Sequence, residues 1–140
     1  MKPRPELLAS YSATAYIVHF EDHDYTIRIG DDCEELDELM IQHEVGTWTV
    51  ITAYNPLSEK LSAKENAKRN EKLNIELGLL GLRTYPTTSI SDAKDWPDEK
   101  GFLVLGLNLE EASRMGLEHD QHAIVFGRFN KPAQLVWCRE

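Results

Sequence analysis

TWTVITAYNPLSEKLSAKENAKRNEKLNIELGLLG, residues 47–81, decides how the rest of the chain is read. Its first seven residues are rich in β-branched and aromatic side chains, the composition of a strand. Pro56 stops that strand, because proline has no N–H to give a ladder. Ser62-Ala63-Lys64-Glu65 has the form of a capping box, in which a hydroxyl and a carboxylate three residues apart satisfy backbone donors at a helix start. The spacing that follows predicts a helix to about Leu80. Gly81 suits the left-handed residue beyond its end.

The reading extends in both directions from this strand–loop–helix unit. Residues 82–88 (LRTYPTT) form a weaker strand, and Pro86 points to an edge position or a strand end. Residues 89–100 are a polar loop holding Trp96 and Pro97. Residues 101–107 (GFLVLGL) are apolar on both faces, as in a central strand covered on both sides. Asn108 and Glu111 repeat the capping pattern and start a helix that runs to about Glu118. Residues 122–128 and 133–138 form a hairpin around Asn130-Lys131-Pro132.

Upstream, residues 14–20 and 24–29 make a hairpin through Glu21-Asp22-His23. Residues 32–44 are a helix with Asp31 or Asp32 as its N-cap and Gly46 as its stop. Residues 1–12 carry no assigned element and are expected to be a poorly ordered lead-in.

The class is α+β. Residues 47–127 read β-α-β-β-α-β, a ferredoxin-like core with strand order 4-1-3-2. An N-terminal hairpin plus helix and a C-terminal strand extend that core, all within one domain spanning 1–140.

A chain of 140 residues suits one domain that folds without disulfides or metals. The net charge of −9 repels a phosphate backbone, and no basic run offsets it, so non-specific nucleic-acid binding is disfavoured. The longest apolar run is too short to span a bilayer. No secretory signal opens the sequence, so a cytoplasmic location is expected, with Cys33 and Cys138 as free thiols. No Gly-rich phosphate loop, nucleophile elbow or metal-type cysteine pair is present, and no cofactor is expected.

Chain direction brings three connections to one edge of the expected sheet: 54–61, 89–100 and 118–122. Asn55, Asn66, Asn70, Glu99, His119, Gln121 and His122 fall there. In the helix, Asn66, Asn70, Leu73, Leu77 and Leu80 share one stripe, so two asparagines point inward with the leucines. Asparagine is poor in helix interiors and costly when buried without partners. Two explanations stand. The amides hold the proline-containing loop as a structural keystone, or they read a ligand with paired donors and acceptors. Free N–H groups at Ser62–Glu65, with Lys60 close by, would favour an anion. Glu99 could serve as a base if desolvated, and Trp96 could close over the edge or simply anchor its loop. His119-x-x-His122 lacks the further ligands a metal needs, so no metal site is assigned.

Ile51-Thr52-Ala53-Tyr54-Asn55-Pro56, followed by Asn66, Asn70 and Leu73, resembles a bacterial family catalogued as domain of unknown function 3293. The resemblance continues through Glu99-Lys100-Gly101-Phe102 and Gln121-His122-Ala123-Ile124, and covers about residues 13–128. It implies no activity, cofactor or partner. It does mark Thr52, Asn55, Asn66, Asn70, Glu99 and Gln121, residues that the topology independently collects at one edge.

Three functions compete. The first is binding of a small polar ligand or peptide at that edge, through Thr52, Tyr54, Asn55, Asn66, Asn70, Glu99 and Gln121. The second is a hydrolase-like enzyme using Glu99 or His119. The third is an interaction or assembly module, such as a homodimer paired through an edge strand.

Overall fold

Strand β3 (Thr47–Ile51) is flanked on both sides in a seven-stranded sheet, in the computed structural model that describes residues 4–139. The other elements are α1 (Arg4–Ser12), β1 (Thr14–His19), β2 (Asp24–Ile27), α2 (Glu34–His43), α3 (Ala63–Leu79), β4 (Thr84–Ser91), β5 (Glu99–Leu105), α4 (Leu109–Glu118), β6 (Ala123–Arg128) and β7 (Gln134–Trp137). A 3₁₀ turn, Pro56–Ser58, lies between β3 and α3. The sheet order is β2-β1-β4-β5-β3-β6-β7, with every neighbouring pair antiparallel. The class is α+β.

Alternation along the strands divides the core into two layers. On one face Tyr16, Val18, Trp48, Val50, Leu103 and Leu105 pack against Leu36 and Met40 of α2. On the other, Ile51, Val104, Ile124 and Phe126 meet Leu73 and Leu77 of α3 and Ala112 and Met115 of α4. β5 therefore contributes to both layers, which is why its sequence is apolar throughout. Each leucine or isoleucine buried in these layers contributes roughly 1.5–3 kcal/mol. Gly127 has no side chain because a Cβ there would collide with the indole of Trp48.

Several boundaries depart from expectation. Helix α2 starts later than expected and uses neither Asp31 nor Asp32. Its N-cap is Cys33, with no side-chain capping bond, and Glu44 in the left-handed region ends it before Gly46. Pro86 lies inside β4, and β4 lies between β1 and β5 rather than at an edge. The β1 ladder stops at Val18↔Thr87, so Pro86 sits just beyond the stretch of β4 that β1 engages. β4 continues to Ser91 because Thr14 and Ala15 pair with Ser91 and Ile90. β5 begins at Glu99, so the expected loop 89–100 shrinks to a short connection and Glu99 is a strand residue. Leu80 is 58% exposed, off the buried stripe. Of the expected lead-in, residues 1–3 lie outside the described residues, and most of the remainder forms a helix, α1, where no element was assigned.

Candidate functional site

The three expected connections do meet, and the loop after β3 is the hub. Asn55, Leu57 and Ser58 all have left-handed backbones, with φ of 44°, 51° and 62°. Each such non-glycine residue costs on the order of 1 kcal/mol, so the surroundings must hold the loop. Asn66 does much of this. Its Oδ1 accepts the Asn55 N–H at 2.8 Å, and its Nδ2 donates back to Asn55 Oδ1 at 2.8 Å. The Leu61 N–H donates to the same Asn55 oxygen at 3.0 Å. From the segment after α4, the Asp120 carbonyl accepts the Leu57 N–H at 2.7 Å. Gln121 Nε2 donates to the carbonyls of Tyr54 and His119, each at 3.1 Å. Arg69, just beyond Asn66 on α3, donates to the Ala53 carbonyl at 2.9 Å and to the His119 carbonyl at 3.2 Å.

Thr52 completes the rim. Its hydroxyl donates to the Lys100 carbonyl at 2.6 Å and accepts the Tyr54 N–H at 3.0 Å. Gly101 lies beside it, and a Cβ there would collide with the Ile51 carbonyl oxygen, so the β3–β5 approach requires glycine.

Beside this hub lies a cavity of about 330 Å³. Its floor is the sheet face that carries Tyr16, Val50 and Val125, opposite to α3 and α4. Antiparallel register sets Tyr16, Ser89 and Glu99 side by side across β1, β4 and β5, with Thr14 and Ser91 in the next row. Leu7 and Tyr11 of α1 and Trp96 of the β4–β5 connection also line it. The walls are mainly apolar and aromatic, with a few polar groups among them, the usual make-up of a small-molecule pocket.

Two of those polar groups stand apart. Glu99 accepts from Asn55 Nδ2 at 2.8 Å and from Trp96 Nε1 at 3.0 Å, and both bonds fall on Oε2. Oε1 takes neither. Burial pushes the Glu99 carboxyl above its ordinary value, against the two hydrogen bonds, which pull it down. His122 is 6% exposed, lines the cavity, and its Nε2 is buried without a partner. Burial also raises the phenols of Tyr11 and Tyr16, with the nearby Glu99 charge adding to both shifts.

The expected site residues therefore separate. Thr52, Asn55, Glu99 and Gln121 line one cavity. Asn66 stands behind Asn55 and does not line it, and Tyr54 enters the network through its backbone. Asn70 is not among the lining residues, and its Oδ1 is buried without a partner. His119 is turned away, with Nε2 3.0 Å from Glu76 Oε2. At the start of α3 the Ser62 hydroxyl accepts the Glu65 N–H at 3.1 Å and donates to the Glu65 carboxylate at 3.0 Å. Lys60 lies 4.9 Å over the Trp96 ring, outside the cavity lining. Among the described residues, no group of three or more His, Cys, Asp or Glu side chains could hold a metal.

Sequence reasoning missed the contribution of α1. Pro5 in a first turn, with Leu7, Leu8 and Tyr11 following at helical spacing, is the signal that could have found it. It also placed His122 at the edge without setting it apart from Gln121.

The family model described as "Protein of unknown function (DUF3293)" matches residues 51–124, more than half of the chain, and the chain belongs to that family. The match takes in Thr52, Asn55, Asn66, Asn70, Glu99, Gln121 and His122, while α1 and β1 lie outside it. No curated protein and no solved structure matches.

Proposed function

We propose that this member of the DUF3293 family is a small-molecule-binding domain, and that its ligand occupies the cavity between α1, the Trp96 connection and the sheet. One observation carries the reading: a cavity of about 330 Å³ is lined by a half-buried carboxylate, Glu99, one of whose oxygens takes no hydrogen bond from the fold. Buried polar atoms are ordinarily paired, and those left open at a concave site mark it as a place for a partner. Thr52, Asn55, Asn66 and Gln121 are the frame of that site, since most of their hydrogen bonds go to backbone and to one another. Glu99 is the polar group that meets the ligand.

Two further assignments belong to the same proposal. The order β6-β3-β5-β4, with α3 and α4 on one face, supports a ferredoxin-like core. Two free thiols, Cys33 and Cys138, support a reducing and hence cytoplasmic setting.

The test compares ligand stabilisation with cavity filling. A diverse fragment library is screened by thermal shift against the wild type and against Ser89→Leu, which places a larger apolar side chain on the cavity floor. Binding predicts fragments that raise the wild-type melting temperature and lose that effect in the variant. A wild type that no fragment stabilises, with Ser89→Leu melting higher than wild type, would show a packing defect and overturn the proposal.

A further inference from the structure

Among the described residues, every ionisable side chain lining the cavity, apart from its tyrosines, is an acid or a histidine: Asp95, Glu99 and His122. No described lysine or arginine lines it. Asn55 and Trp96 both donate to Glu99 Oε2, which fixes the carboxylate plane and leaves Oε1 for another donor. His122 lines the cavity with its ring, while its Nε2 is sealed from it and has no partner. Tyr11, Tyr16 and Trp96 supply aromatic walls.

From this arrangement we infer that the ligand presents a protonated amine, seated on Glu99 Oε1, with an aromatic or apolar body against Tyr11, Tyr16 and Trp96. This rests on the small-molecule reading above. An ammonium supplies several donors and no acceptor, which matches the open carboxylate oxygen of Glu99. It also compensates a desolvated carboxylate, which otherwise tends to hold its proton. Aromatic faces add favourable cation–π attraction. An acidic ligand would meet the Glu99 carboxylate with no described lysine or arginine in the lining. The chain's net charge of −9 also favours approach of a cation.

The experiment uses three probes of one shape: phenethylamine, phenethyl alcohol and phenylacetate. Binding is followed by NMR shifts of the Trp96 indole and His122 ring, in the wild type and in Glu99→Gln. The glutamine carbonyl can still accept from Asn55 and Trp96, so the variant removes the charge and keeps the frame. The expected result is an order amine, alcohol, acid in the wild type, with amine affinity falling about tenfold or more in Glu99→Gln and alcohol affinity nearly unchanged. Alcohol binding as tightly as amine in the wild type would overturn the amine inference and leave the pocket standing. Absence of shifts with all three probes would overturn both. The wild-type ranking needs no variant, so a poorly folded Glu99→Gln leaves the inference open to refutation.

Discussion

Asn66 and Asn70 share one residue type, one helix and one stripe, yet their replacement by alanine is expected to move stability in opposite directions. Asn66 is 5% exposed and makes two 2.8 Å bonds with Asn55, one of them to the Asn55 backbone N–H. Asn66→Ala removes both and strands a donor inside a loop with three left-handed residues. An unsatisfied buried group costs about 1–3 kcal/mol and each lost bond about 1 kcal/mol. Alanine returns about 0.6 kcal/mol of helix propensity. The net expectation is a loss of about 2–4 kcal/mol, or a melting temperature lower by about 6–16 °C for a domain of this size. Asn70→Ala removes a buried oxygen that has no partner and gains the same propensity, so its melting temperature should rise by about 2–6 °C. Urea titration of both variants, with the slope checked against wild type, gives the two free energies. A fall in both variants, or an Asn66→Ala protein melting within about 1 °C of wild type, would refute the division of the stripe into a used and an unused asparagine.

Three other outcomes follow from the same geometry. Trp96→Phe removes a donor to the Glu99 carboxylate, so carboxyl titration by ¹³C NMR should place Glu99 higher than in wild type; an unchanged or lower value counts against the bond. Because the folded chain holds the Glu99 proton to higher pH than the unfolded chain, stability falls as pH rises through that window. Glu99→Gln should therefore stabilise the free protein at neutral pH and make little difference below the unfolded value near 4.5, as read by melting curves across pH. In α1 only Leu7 is buried, so its amides should exchange with deuterium faster than those of α3, which buries Asn66, Leu73 and Leu77; equal protection would mean α1 is not a loosely held cover.

What the sequence made legible was local. Ser62 with Glu65 and Asn108 with Glu111 announce the starts of α3 and α4 because a cap is satisfied within a single turn. Apolar runs on both faces announced β5 for a similar reason. The extent of β4 was not legible, since Ile90 and Ser91 become strand by pairing with Ala15 and Thr14, far earlier in the chain. Leu80 kept the helical spacing, but it follows the last helical residue, Leu79, and lies outside the cover of the sheet. At the site, strand order sufficed to bring Asn55, Glu99 and Gln121 together. It could not say that Gln121 spends its amide on backbone while Glu99 keeps one oxygen open.

The proposed binding role assigns keystone and ligand contact to different residues. An amide whose hydrogen bonds already hold a loop cannot read a ligand without first breaking that loop. Asn55, Asn66 and Gln121 are committed in this sense, and the loop they hold is the one with the strained backbone. Glu99 differs because the same network that supports the loop also ends on it, through Asn55, and stops at one of its two oxygens. A side chain serving stability alone at that position would be better as an uncharged isostere, since a desolvated carboxylate lowers stability at neutral pH. Frame and open acceptor are thus linked: Asn66 holds the Asn55 loop, and Asn55 and Trp96 hold Glu99 by one oxygen.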